Sequence, residues 1–338
     1  MIQYFTMNSN FWDKLAKPFF VLAPMYDVTD AVFRSVLSVF AKPDVTYTEF
    51  VSADGLASIA KEKLMRDLLF SESEHPVVAQ IFGANPKNYA NAIEIIASRG
   101  FDGVDINMGC PDSNIMKQGS CAALIDNPDL AVQIIKEVKN TTEKVFQETG
   151  LVLPVSIKTR IGNKKIETER WISLLLEQEP AVITVHGRTA KEMSKAPVHW
   201  DEIEKAVNLA KGTGVKIVGN GDVLDLKSAR EKVEKFGVDG VMLGRAIFHN
   251  PLVFADRFPS QEEKFAMLRL HLSLFQKYYS LDSEIRKESS FHPKSFALMK
   301  KFFKIYISGF DGAVELRSKL MGCRNAEEAL GIFDSIKI

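Results

Sequence analysis

The sequence predicts a (β/α)8 TIM barrel over residues 1–256, followed by a small all-helical C-terminal domain over residues 257–338. Three observations carry that reading. Eight short, near-continuous apolar runs alternate with segments of helical periodicity, as expected of parallel strands covered on both faces. The eight units span about 250 residues, which matches the size and period of such a barrel. After Pro251 the strand runs stop: Thr and Val become scarce, Phe, Lys and Leu dominate, and only helical patterns remain. The boundary falls near Asp256-Arg257-Phe258-Pro259. A doubly wound open sheet is the alternative. It would more often carry a glycine-rich nucleotide loop after its first strand, where this chain has Ala23-Pro24-Met25.

In chain order, the first strand is Phe19-Phe20-Val21-Leu22-Ala23 and the second Val45-Thr46-Tyr47-Thr48-Glu49. The third is Val77-Val78-Ala79-Gln80-Ile81 and the fourth Gly103-Val104-Asp105-Ile106-Asn107. The fifth covers 152–158 and the sixth 181–185; Lys216-Ile217-Val218-Gly219 and Gly240-Val241-Met242-Leu243 complete the set. Helical patterns lie between them at 88–99, 128–148, 168–178 and 226–235. Directly after the fourth strand, Gly109 and Pro111 impose a sharp turn, because glycine permits positive φ and proline fixes φ. That turn carries Cys110. Free cysteines are usually small buried hydrophobes. Core cysteines sit inside elements, however, whereas this one sits on the loop that ends a strand, on the face where barrels keep their chemistry.

Bulk properties narrow the function. The 338 residues carry a formal net charge of +0 and a pI near 7.0, so the overall basic character of a simple nucleic-acid binder is absent. Any nucleic-acid surface must be a local patch. The three cysteines, Cys110, Cys121 and Cys323, argue against a disulfide framework and for a reducing compartment. No Cys-x-x-Cys or His-rich cluster suggests a metal. The first residues lack a basic region followed by an apolar run, and no apolar run is long enough to span a bilayer. A soluble, cytoplasmic protein with no obligate protein partner is expected.

Reading only the strand ends gathers a polar set on one rim. The first contributes Pro24-Met25-Tyr26, the third Gln80, and the fourth Asn107 and Cys110. The fifth ends in Lys158-Thr159-Arg160, the sixth in His186-Gly187-Arg188-Thr189, the seventh in Asn220-Gly221-Asp222, and the eighth in Gly244-Arg245. Taken singly, Lys158 reads better as a solvated strand-end lysine, His186 as a structural histidine, and Gly221 and Gly244 equally well as turn glycines. Taken together they read differently. Gly-Asn-Gly-Asp after the seventh strand and Gly-Arg after the eighth make the phosphate cradle common in barrels, with backbone N–H groups, Arg245 and a helix N-terminus converging on an anion. Lys158 and His186 below it suit a flavin ring, since a nearby cation stabilises reduced flavin.

Asn107-Met108-Gly109-Cys110-Pro111, followed by Gly119-Ser120-Cys121-Ala122-Ala123-Leu124, resembles the tRNA-dihydrouridine synthases, flavoenzymes that reduce uridine in the D-loop of tRNA. The resemblance extends over all eight strand ends, and His186-Gly187-Arg188-Thr189 and Trp200 fit it too. It implies that Pro24, Met25, Tyr26, Gln80, Lys158, His186, Asn220, Gly221, Asp222, Gly244 and Arg245 bind FMN. It implies Cys110 as proton donor, with Asn107 and Arg160 on the substrate. NADPH or NADH would reduce FMN, hydride would pass from flavin N5 to uracil C6, and Cys110 would protonate C5. That role needs the thiol, and the usual thiol pKa of about 8.5 suits it. Cys121 departs from the family, which commonly has more glycine or alanine there. It reads as a tolerated small residue, with a redox role left open.

The expected tRNA surface has two parts. Lys117, Lys164, Lys165, Lys191 and Lys195 lie on rim loops. In the tail, Arg286, Lys287, Lys294, Lys300, Lys301, Lys304, Arg317, Lys319 and Arg324 face three acids, a net +6. In a predicted helix from Phe296 to Ile307, Lys300, Lys301 and Lys304 share one arc opposite Phe296, Met299, Phe302, Phe303 and Ile307. Two rival readings remain. One is an FMN barrel acting on a free small molecule, such as dihydroorotate dehydrogenase or an enoate reductase. The other is an RNA-binding protein on a barrel that has lost its chemistry.

Overall fold

The computed structural model describes residues 10–280 and 292–335. Nine parallel strands form one sheet: β1 (Phe19–Leu22), β2 (Thr46–Tyr47), β3 (Val51–Ser52), β4 (Val77–Phe82), β5 (Gly103–Met108), β6 (Val155–Arg160), β7 (Val182–His186), β8 (Lys216–Asn220) and β9 (Gly240–Leu243). From β4 onward each strand pairs with its successor, and β9 pairs with β1. A bridge between Val21 and Val45 links β1 to the residue before β2, so the circle is nearly closed. The barrel is the predicted one, except at its second position. There the predicted strand over 45–49 is reduced to β2, and an additional short strand, β3, follows beyond it: β2 pairs with the start of β4 and β3 with its end. Thr48 and Glu49 lie between the two, with Thr48 N–H bonded to the Val78 carbonyl at 3.0 Å.

Helices cover the outside. They are α1 (Ala31–Phe40), α2 (Pro86–Ser98), α3 (Pro128–Thr149), α4 (Thr168–Leu176), α5 (Trp200–Ala210) and α6 (Leu226–Phe236). Local chemistry sets their ends. Asn85 and Asn127 cap α2 and α3, each followed by a proline at a position that needs no N–H donor. Gly150 closes α3 with φ at 74°, a conformation that suits glycine.

Alternation along the strands separates two cores. The outer one lies between strands and helices. The inner one holds Phe19, Val21, Ala23, Val45, Tyr47, Val78, Val182, Val218 and Met242, with Trp12 at the N-terminal end of the strands. Trp12 is 1% exposed and its ring centroid lies 5.7 Å from that of Phe19, so it stoppers that end.

The tail is helical, as predicted: α7 (Gln261–Tyr279), α8 (Lys300–Tyr306), α9 (Ala313–Gly322) and α10 (Ala326–Asp334). The predicted Phe296–Ile307 helix is two pieces, a 3-10 turn over Phe296–Met299 running into α8. α7 packs on α1, and Phe33 stacks on Phe302 with centroids 4.9 Å apart. Barrel and tail thus share one outer apolar core. Buried charge joins them as well: Lys294 bonds Glu49 and lies 3.0 Å from Asp67. Lys294 was expected on the RNA surface; its side chain is 2% exposed, so it belongs to the barrel–tail seam. Arg286 and Lys287 lie outside the described residues.

Candidate active site

Residues two along from an inward residue also point inward. Val78, Val182, Val218 and Met242 are inward, which puts Gln80, Thr184, His186, Asn220 and Gly244 on the same face, higher in the barrel. Register completes the ring: Gln80 pairs with Asp105, Asn107 with Lys158, Arg160 with His186, and His186 with Asn220.

At the C-terminal rim these residues frame a cleft of about 770 Å³. It is lined by Pro24, Met25, Lys158, Arg160, His186, Asn220, Gly221, Asp222, Gly244 and Arg245. Ser194, Val223, Leu224 and His249 line it too; the first three sit on loops and His249 ends a short helix after β9, and only the folded rim shows them. Tyr26 is 54% exposed beside the cleft and lies against Phe50. Gln80 is deeper and fully buried.

The cleft is electropositive. Lys158 Nζ donates to Asn220 Oδ1 at 3.3 Å. Burial, then the Arg160 guanidinium, pulls its pKa down to about 8. Burial and the same cations hold His186 well below its ordinary value, so the imidazole is neutral at physiological pH. Asp222 is gripped by Arg188 and Arg245, and the hydrogen bond from Arg188 is the main reason its carboxyl is held below the usual range. Gly221 has φ at +133°, and a Cβ there would come within 2.8 Å of Val198 Cγ1 and 3.2 Å of His186 Cδ2. The turn therefore needs glycine for both conformation and space.

Cys110 is half-buried on the turn after β5. Asn107 Oδ1 accepts from the N–H groups of Gly109 and Cys110, both at 3.0 Å. Arg160, 6% exposed, spends its guanidinium on backbone: Gly109 O at 2.7 Å, and Thr189 O and Met193 O at 2.9 Å. It clamps the Cys110 turn to the loop after β7. The thiol is not at its ordinary value. A hydrogen bond from Cys121 lowers the Cys110 pKa to about 7, while burial pushes Cys121 up. Cys121 is buried beside Cys110 and held at φ +56°. Among the described residues no His, Cys, Asp or Glu cluster could hold a metal, and no helix is long and apolar enough to cross a membrane.

Residues 21–337 match the family model described as dihydrouridine synthase. A Staphylococcus aureus (strain Mu50) protein described as "Probable tRNA-dihydrouridine synthase" is 43% identical over 339 residues, covering 98% of this chain and 97% of its own. A Bacillus subtilis (strain 168) protein described as "Probable tRNA-dihydrouridine synthase 2" is 38% identical over 340 residues, covering 98% of both. In fold the chain is similar to morphinone reductase, with a TM-score of 0.50 over 74% of this chain and 90% of that one, at 14% identity.

Proposed function

The chain belongs to the dihydrouridine synthase family, and on that premise we propose that it reduces a uridine in the D-loop of tRNA to 5,6-dihydrouridine, with FMN as bound cofactor and NADPH or NADH as reductant. One observation carries the proposal: Arg160 lines the basic cleft and also holds the Cys110 turn, which joins an anion-binding site to an acid of near-neutral pKa.

The residues of the cleft fit FMN. Backbone at Asn220-Gly221-Asp222 and Gly244, with Arg245, suits the phosphate; Pro24 and Met25 suit the ring, with Tyr26 beside it and Gln80 in the buried layer beneath, and His186 offers a neutral imidazole. When bound, FMN supplies the hydride. Lys158 offers positive charge to a reduced ring. Asn107 and Cys110 meet a base turned out of its stack, since a stacked base is out of reach. Cys110 then delivers a proton to C5. A pKa near 7, lower than the ordinary thiol value expected from sequence, balances available acid against ease of transfer.

For tRNA, the reading uses the tail and the barrel rim as one surface. Lys301 Nζ donates to the Asp27 carbonyl at 2.7 Å, beside the cleft, and Lys304 is exposed. Lys300 instead donates to the Met321 carbonyl at 2.7 Å, within the tail. Lys117, Lys164, Lys165, Lys191 and Lys195 are exposed on the rim loops. Residues 257–338 thus form the tRNA-binding part and residues 1–256 the catalytic part. A cytoplasmic location accords with three free thiols and a tRNA substrate.

Two tests address this. The purified protein is expected to be yellow, with one FMN per chain. Arg245→Ala should weaken FMN affinity roughly tenfold, as expected for losing one charge-assisted contact to phosphate. Stoichiometric FAD, or no flavin after reconstitution, would refute the cofactor. Changing Lys301 and Lys304 together to Gln should weaken tRNA binding and flatten its salt dependence by roughly 0.7–0.9 in log–log slope per lost phosphate contact. Flavin reduction should stay as in wild type. An unchanged slope would move the RNA surface elsewhere.

A further inference from the structure

Asp105 and Gln80 are both 0% exposed in the barrel interior, beneath the cleft. Asp105 accepts from Ser156 Oγ at 2.6 Å and from Gln80 Nε2 at 2.7 Å. Gln80 Oε1 in turn accepts from Asn107 Nδ2 at 3.0 Å, and Asn107 Oδ1 accepts from the Gly109 and Cys110 N–H groups. The five hydrogen bonds make a directional chain. An ionised carboxylate can only accept, so Gln80 must turn its nitrogen toward Asp105 and its oxygen toward Asn107. Asn107 must then turn its nitrogen toward Gln80 and its oxygen toward the turn. A protonated or amide group at position 105 could also donate, and both amides could then reverse. The reversed chain sets an NH2 group against two turn N–H groups, which leaves them buried without an acceptor.

We propose that Asp105 is a positioning residue for Cys110, its ionised carboxylate fixing the direction of both amides and thereby the shape of the turn that carries the thiol. The proposal builds on the reading of Cys110 as proton donor.

Two titratable groups face Asp105 across the interior. Lys158 on β6 favours the carboxylate, and Tyr47 on β2 also approaches it. Burial raises the Asp105 pKa to about 6, with Ser156, Gln80 and Lys158 pulling the other way. The carboxylate is therefore in place at neutral pH and is lost as pH falls through about 6.

The test uses the FMN-loaded protein and two readouts. One is single-turnover dihydrouridine formation by pre-reduced enzyme on tRNA across pH. The other is alkylation of Cys110 by iodoacetamide, resolved by mass spectrometry, which needs no turnover. Wild type should show an acid limb near pH 6 and a Cys110 alkylation midpoint near 7. Asp105→Asn should lose the acid limb, run about tenfold slower at its plateau, and alkylate with a higher midpoint at unchanged FMN occupancy. An acid limb and alkylation midpoint that both persist in Asp105→Asn would overturn the proposal. Should that variant fail to fold, Ser156→Ala keeps the carboxylate but removes one donor to it. The acid limb should then move to higher pH, and an unmoved limb overturns the proposal equally. If Cys110→Ala keeps full turnover, the reading of Cys110 has failed, yet the alkylation contrast between wild type and Asp105→Asn still decides the relay.

Discussion

Cys110→Ala is expected to slow dihydrouridine formation by about 10²–10⁴-fold, the usual contribution of a general acid, while FMN still binds and is still reduced by NADPH. The separation follows from position: Cys110 sits on the turn after β5 and is not among the residues that line the cleft. The wild-type rate should also fall as pH rises through about 7. The useful form is the thiol, and the Cys121 hydrogen bond has brought its pKa down to that value. Cys121→Ala removes the hydrogen bond, so the basic limb should move to higher pH while the rate at pH 6.5, below the limb (a point ~0.5 unit under that pKa), changes little. Rapid-quench measurement of tRNA product against pH checks both variants. A Cys110→Ala enzyme that turns over normally would end its assignment as the acid.

Lys294→Met is expected to destabilise the protein by about 3–5 kcal/mol, because it leaves buried carboxylates without their cation. Lys294 is paired with Glu49 and Asp67, and its ammonium also lies 5.3 Å from the centre of the Tyr279 ring. Glu49 Oε1 meanwhile accepts from the Asp27 N–H at 2.6 Å, so the pair also braces the loop that carries Tyr26. Denaturant unfolding should show the loss, and limited proteolysis should cut the tail earlier than in wild type. A midpoint equal to wild type would mean that the pair contributes nothing net at this seam.

How far the sequence could be read depended on the range of the interactions. The barrel strands were legible because a parallel strand buried on both faces needs a short apolar run, and little else in a chain looks like one. Strand ends then named the rim without any coordinates. The shortening to β2 and the additional strand β3 were not legible, since both depend on where the chain meets β4. Lys294 was misread for a similar reason: its partner Glu49 lies 245 residues away, and a lysine in a basic segment otherwise looks solvated. Cys110 was found from its turn, but its lowered pKa needed the approach of Cys121. Asp105 passed as an ordinary strand residue in an apolar run; only register with Gln80 and Ser156 reveals what it holds.

Trp12 has a consequence at the other end of the molecule. Together with the inner apolar residues packed above it, Trp12 closes the N-terminal end of the strands, so the polar layer of the interior is reached from the C-terminal rim alone. On the proposed function, a reductant and a turned-out base would both have to approach from that one side, and between the two the electrons would rest on the bound flavin, beside the Lys158 cation.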